Sequence, residues 1–172
     1  AKFVSKKSAM LNPIQTLNSV HYNPLLRKSE VLLNFAEAAN EAWGNPTVKA
    51  EGCLYSAYEI LKTIRSQAGG INFDLYLDEM AQSKESFRKL IQNERRLEFT
   101  FENHRYFDMR RWVLPLNEEV EGVAVTRKED GTFSFKVQKV EQRKYEVKNY
   151  FMPLPYAELE KNKNLMNNQG WE

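Results

Sequence analysis

The chain has 172 residues, 42% hydrophobic and 28% charged, an ordinary globular composition with enough length for one core. Its 25 Lys and Arg against 23 Asp and Glu leave a net charge of +2, with bases and acids interleaved, which argues against a nucleic-acid partner. No apolar run approaches the about 18 residues that would make a transmembrane segment. The single Cys53 excludes an internal disulfide, and with no second Cys or His beside it no metal or other cofactor is expected.

The chain opens on Ala, as a fragment or processed product would, and AKFVSKKSAMLNP lacks the apolar core of a secretory signal. Residues 1–24 show little periodicity and contain Asn12-Pro13 and Asn23-Pro24, so they read as an irregular lead-in. A short β pairing near Lys2 to Val4 would be compatible with it. From about Leu25 to Trp43 the apolar residues Leu26, Leu32, Leu33, Ala36, Ala39 and Trp43 recur at helical spacing. The alanines leave room for another helix to approach, and Gly44-Asn45-Pro46 ends the run. A second helix is expected from Thr47 or Ala50 to Ala68, stopped by Gly69-Gly70. Cys53, at the start of that run, is expected to be a buried, inert thiol. Two such helices joined by a short turn make a helical hairpin of the tetratricopeptide kind over 25–69.

Residues 71–115 hold the organising helices. Ile71 to Met80 suggests one or two helical turns, and Ser83 is a candidate N-cap. Ser86 to Trp112 then runs without Gly or Pro, rich in Leu, Glu, Arg, Lys and Gln. At about 100° per residue, Phe87, Leu90, Ile91, Leu97 and Phe101 share one face. Glu94, Glu98 and Arg105 point within about 20° of the centre of that face, with Glu102 at its border and Arg96 opposite. Charges therefore run down an apolar stripe. Carboxylates four apart repel one another and must be neutralised from elsewhere if buried. The candidate ion network comprises Arg65, Glu94, Arg95, Glu98, Glu102, Arg105, Asp108, Arg110 and Arg111, since an Arg fork stays charged when desolvated and can hold two carboxylate oxygens. A helix break is expected near Asn103-His104, and Leu114-Pro115 closes the segment.

Over 116–172 the period changes to two. Val123 and Val125 alternate, Asp130-Gly131 follows, and Thr132 to Val137 alternates again, the pattern of a β-hairpin whose turn needs a positive φ at Gly131. Lys144 to Phe151 is aromatic-rich and reads as extended.

The run from Ile91 to Phe99, I-x-x-E-R-R-x-E-F, followed by E-N-H-R-Y-F-D-M-R-R-W from Glu102 to Trp112, resembles the C-terminal signature of the SusD/RagB family. RKSEVLLNFAEAANEAWG resembles that family's A-E-V-x-L-x-x-A-E-A helix. Residues 64–69, IRSQAG, resemble its V-R-x-R-A-G, with Gln67 in place of an Arg. The tail matches its closing motif through Met152-Pro153-Leu154-Pro155, Glu158, Asn162, Leu165, Asn168, Gly170 and Trp171; Asn167 stands for the usual Gln and Gln169 for the usual Pro. The resemblance implies the C-terminal part of a mainly α, SusD-like α-α superhelix, with tetratricopeptide-like helical hairpins, a small β-hairpin and an irregular C-terminal segment. It also implies a Bacteroidetes-type outer-membrane lipoprotein at the cell surface, anchored through an N-terminal part outside this sequence. The implied partners are a poly- or oligosaccharide, or another nutrient, and a TonB-dependent transporter.

Two other readings compete with carbohydrate capture. Glu94, Glu98 or Asp108 could form a glycosidase-like pair, but Arg neighbours hold carboxylates ionised, which is wrong for a general acid. His21 and His104 lack a Ser, Cys or metal-ligand context, so no enzyme is expected. A tetratricopeptide-like scaffold that binds only protein is the second alternative. Trp43, Trp112, Trp171 and eight Tyr could supply sugar-stacking surfaces, although packing is the default role of each, and no individual ligand residue is assigned.

Overall fold

The computed structural model describes residues 26–172. The lead-in over 1–24, the β pairing near Lys2 to Val4 and His21 lie outside the described residues. The fold is mainly α, with six α-helices and one two-stranded antiparallel hairpin among the described residues. The chain divides into two compact units, Ala1–Glu94 and Arg95–Glu172, with the boundary inside the fourth helix.

In the first unit, α1 (Lys28–Trp43) buries Leu33, Ala36, Ala39 and Asn40, spaced three and four apart as one helical face requires. It packs on α2 (Ala57–Gly69), which buries Ala57, Ile60, Leu61 and Ile64. The pair is a helical hairpin of the tetratricopeptide kind, but its connection is longer than the short turn expected. Ser56 sets the start of α2: its hydroxyl accepts from the Glu59 N–H at 3.2 Å, while the Glu59 carboxylate accepts from the Ser56 N–H at 2.8 Å. This reciprocal capping satisfies two otherwise orphaned donors and overrides the helix propensity upstream of it. Cys53 consequently lies in the connection and is half-exposed, which corrects the expectation of a buried thiol.

α3 (Leu75–Met80) buries Leu77, and α4 (Lys84–Glu98) begins behind Ser83, whose Oγ accepts from the Ser86 N–H at 3.1 Å. Phe87, Leu90 and Ile91 are buried. The buried Asn40 amide donates to the Lys84 carbonyl at 3.0 Å, tying α1 to the first turn of α4. Beside it the Arg88 fork grips Glu41 at 2.5 and 2.6 Å.

The amphipathic stripe does not continue past Glu98. Phe101 and Asn103 have φ of 65° and 63°, a left-handed conformation that stops a helix. α5 (His104–Arg111) then starts afresh. The helical wheel drawn through this break therefore fails beyond it, where Phe101 is 83% exposed, and Leu97, in the last turn of α4, is 57% exposed as well. In the second unit the buried residues among those described are Arg95, Phe99, Asp108, Met109 and Leu116.

β1 (Glu119–Arg127) pairs antiparallel with β2 (Phe133–Gln142), placing Val123 opposite Val137 and Val125 opposite Phe135. The turn is one residue wider than the tightest hairpin. The Gly131 N–H donates to the Lys128 carbonyl at 3.0 Å, and Lys128 N–H to Thr132 at 2.8 Å, with Gly131 at φ 83°. This is a three-residue loop ending in a left-handed glycine. The Asp130 carboxylate accepts from the Thr132 N–H and hydroxyl at 2.9 and 2.6 Å. At the other end the register shifts after Val120, and a Cβ on Gly122 would stand 2.6 Å from a Val140 methyl.

Lys144 to Phe151 is not a strand: Val147–Tyr150 forms one 3-10 turn. Asn117 holds its approach, donating to the Tyr145 carbonyl and accepting from the Tyr145 N–H. The tail carries α6 (Tyr156–Lys161) and is closed by its own amides. Asn167 accepts from the Leu154 N–H, Asn168 donates to the Met152 carbonyl, and the Trp171 indole donates to the Lys148 carbonyl.

Gly131→Val should strain the left-handed position by about 1–2 kcal/mol. The expected result is roughly tenfold faster hydrogen exchange at the paired amides of β1 and β2, with exchange in α2 unchanged.

Candidate functional site

Each unit has a charged cluster of its own. In the first, Arg65 from the last turns of α2 reaches Glu94 of α4 and Asp74 before α3. Its Nε stands 2.5 Å and its Nη2 3.3 Å from the Asp74 oxygens, and a second fork nitrogen holds the Glu94 carboxylate. Asp74 also accepts from the Leu77 N–H at 3.0 Å, so one carboxylate both caps α3 and neutralises Arg65. The Arg65 hydrogen bond holds the Asp74 carboxyl below its ordinary pKa, and the same contact raises that of Arg65. Glu94 is 6% exposed, so an unpaired charge there would be costly.

In the second unit, Arg95 and Asp108 are both at most 5% exposed and meet side-on, Nε to Oδ2 at 3.0 Å and Nη2 to Oδ1 at 3.2 Å. Arg111 adds a bond from Nε to Asp108 at 2.8 Å. The Arg95 guanidinium centre lies 5.2 Å from the Phe99 ring and 5.9 Å from the Trp112 ring, which Arg111 also covers at 4.3 Å. Two cations thus share one carboxylate and an aromatic surround, an arrangement that favours the delocalised guanidinium over an ammonium.

The structure thus places Arg65 with Glu94, and Arg95 with Asp108 and Arg111. Glu98 and Glu102 are half-buried, not buried. Arg110 is engaged elsewhere, donating to the Asn149 carbonyl at 2.9 Å and lying 3.5 Å over the Tyr106 ring. Arg105 is half-buried on α5 and lines a cavity, joined to no carboxylate by an ion pair among the described residues. The helix break accounts for its displacement from the expected stripe. Sequence reasoning missed Asp74 and the Glu41–Arg88 pair. An Asp just ahead of the short run LYLDEM was the available signal for a capping role, but nothing local points from Asp74 to Arg65.

The three tryptophans are all half-buried. Trp43 lies edge-on to Phe35 at 6.0 Å, Trp112 lies under the arginines, and Trp171 is pinned by its indole N–H. His104 rests on the Phe99 ring at 4.4 Å. No cluster of three or more His, Cys, Asp or Glu able to hold a metal occurs among the described residues. Nor, among them, is any helix long and apolar enough to cross a membrane. The carboxylates of these clusters are held by arginines, an arrangement suited to organising structure.

Asp108→Ala should destabilise the protein by about 3–5 kcal/mol by stranding the buried Arg95 charge, read as a lower urea midpoint at unchanged slope. The Arg88 and Lys84 contacts hold Glu41 at a pKa of about 2, against an ordinary 4.5. That contribution is present above about pH 4.5 and is lost as pH falls towards 2, so Glu41→Gln should flatten the stability profile across that window in acid unfolding.

No curated protein matches the chain. It is similar to the crystal structure of a SusD-like protein from Bacteroides fragilis NCTC 9343, at 33% identity and a TM-score of 0.60. The similarity covers 84% of this chain and 25% of that one, so the chain spans about a quarter of that protein's length. The SusD family is matched over residues 1–171, nearly every position, and the chain therefore belongs to the SusD family.

Proposed function

We propose that this chain is part of a non-catalytic nutrient-binding protein of the outer membrane, lipid-anchored at the cell surface. It holds a glycan or similar nutrient and works with a TonB-dependent transporter. The observation that carries this reading is family membership over residues 1–171. The site chemistry agrees with it: Asp74, Glu94 and Asp108 are each taken up by Arg forks and act as struts.

The architecture supports binding in a second way. Ion pairs at Arg65 and Arg95 and the amide staples at Asn117, Asn167 and Asn168 hold loops and helix ends in fixed positions. A surface fixed in advance loses less conformational entropy when it meets a sugar or a protein.

Calorimetry of the intact protein against a panel of oligo- and polysaccharides, with co-purification of the adjacent transporter, tests the proposal. Saturable glycan binding without glycan cleavage is expected, together with transporter association. Hydrolysis at enzymatic rates, or loss of both interactions, would contradict it.

A further inference from the structure

Arg105, Arg96 and Arg143 converge on a cavity of about 340 Å³ in the second unit. Among the described residues no carboxylate is ion-paired to any of the three, in contrast to Arg65, Arg88, Arg95 and Arg111. Among the described residues the polar contact of the Arg143 guanidinium is a long one of 4.0 Å to the Met109 sulfur. Burial, and then the facing charge of Arg96, push the Arg105 guanidinium below its ordinary pKa; Glu118 and Asp108 oppose this, and Arg143 adds to it. Cations set against one another in a partly desolvated cavity are a standing electrostatic cost that an oxyanion would relieve.

The lining is not uniformly basic. Glu118, Glu119 and Glu121 share the cavity, and Glu119 is already paired with Lys139 at 2.5 Å. A dense polyanion would be repelled by these carboxylates. A molecule with one negative group flanked by hydroxyls would satisfy both sets, its hydroxyls donating to Glu and its oxyanion accepting from Arg. A second cavity of about 220 Å³ has Arg105 and Arg143 as a shared wall and adds Tyr106 and Tyr145, 41% and 40% exposed. The Tyr145 ring offers an apolar face beside the cationic group, whereas Arg110 lies 3.5 Å over the Tyr106 ring.

We infer that these two cavities form one binding cleft for an acidic saccharide, in which Arg96, Arg105 and Arg143 take a carboxylate or sulfate and the Tyr145 ring takes a sugar face. The saccharide part of the inference rests on the glycan-binding role proposed above. The shared chemistry is a planar or tetrahedral oxyanion on a polyhydroxylated ring, matched by the bidentate fork of arginine.

The test is calorimetry on the intact protein with a uronic-acid oligosaccharide, a sulfated oligosaccharide and a neutral one of equal length. Arg105→Gln and Arg143→Gln are compared with wild type. Neither substitution breaks an ion pair within the described residues, so thermal melting should be unchanged. At least one acidic ligand should bind, lose tenfold or more in affinity in both variants, and weaken steeply with salt; affinity for a neutral glycan should not change. The two acidic arms distinguish a carboxylate site from a sulfate site. Failure of both acidic ligands to bind, or equal affinity in wild type and variants, would overturn the inference. Transporter association and neutral-glycan binding, read on the same samples, report on the nutrient-binding role separately.

Discussion

The buried contact between Arg95 and Asp108 is the interaction on which the second unit depends. That unit buries few apolar side chains among its described residues, Phe99, Met109 and Leu116, and the ion pair sits among them. Its side-on geometry satisfies two guanidinium donors at once, and Arg111 fills a further acceptor site on Asp108. A buried pair of this kind is a poor source of net stability compared with apolar packing, yet breaking it is expensive. Its value is directional: it sets where α5 returns after the left-handed residues Phe101 and Asn103. The arrangement of Arg105, Tyr106 and Arg110 follows from that placement of α5.

Neighbouring positions on α4 take opposite charges for the same reason. Successive helical residues point about 100° apart, so Glu94 and Arg95 address different surroundings and each closes a cluster within its own unit. The Arg65 cluster shows how a loop is fixed by the same means. Asp74 caps α3 with one oxygen while both oxygens face Arg65, so the entry to α3 and the end of α2 are set by a single carboxylate. Neither cluster resembles an acid–base pair, because every carboxylate in them has a cation in contact.

The elements with local causes were legible in the sequence. Gly44 and Gly70 end their helices in the left-handed region, Ser83 caps α4, and Asp130-Gly131 turns a hairpin, each from residues within a few positions of the event. The closing motif was readable as a pattern, and its reason appears only in three dimensions: Asn167, Asn168 and Trp171 satisfy backbone groups far back along the tail. Charges on an apolar stripe drew attention to Glu94, which is buried beside Arg65. The reading failed where a wheel was carried through a break, which misplaced Phe101 and Arg105; Leu97, still within α4, is exposed for a reason the break does not supply. It also could not see pairings between distant segments, such as Asp74 with Arg65, Glu41 with Arg88, or Arg143 brought beside Arg105. Sequence spacing says which residues share a face; it does not say which segments meet.

The chain belongs to the SusD family, and its buried carboxylates Glu94 and Asp108 are each held by arginine. The account stands on those carboxylates being structural. A double-mutant cycle between Arg95→Met and Asp108→Leu, read by urea unfolding, measures this most directly. The account predicts a coupling of about 1–3 kcal/mol, with the double variant more stable than either single one. A coupling within about 0.3 kcal/mol of zero would contradict it.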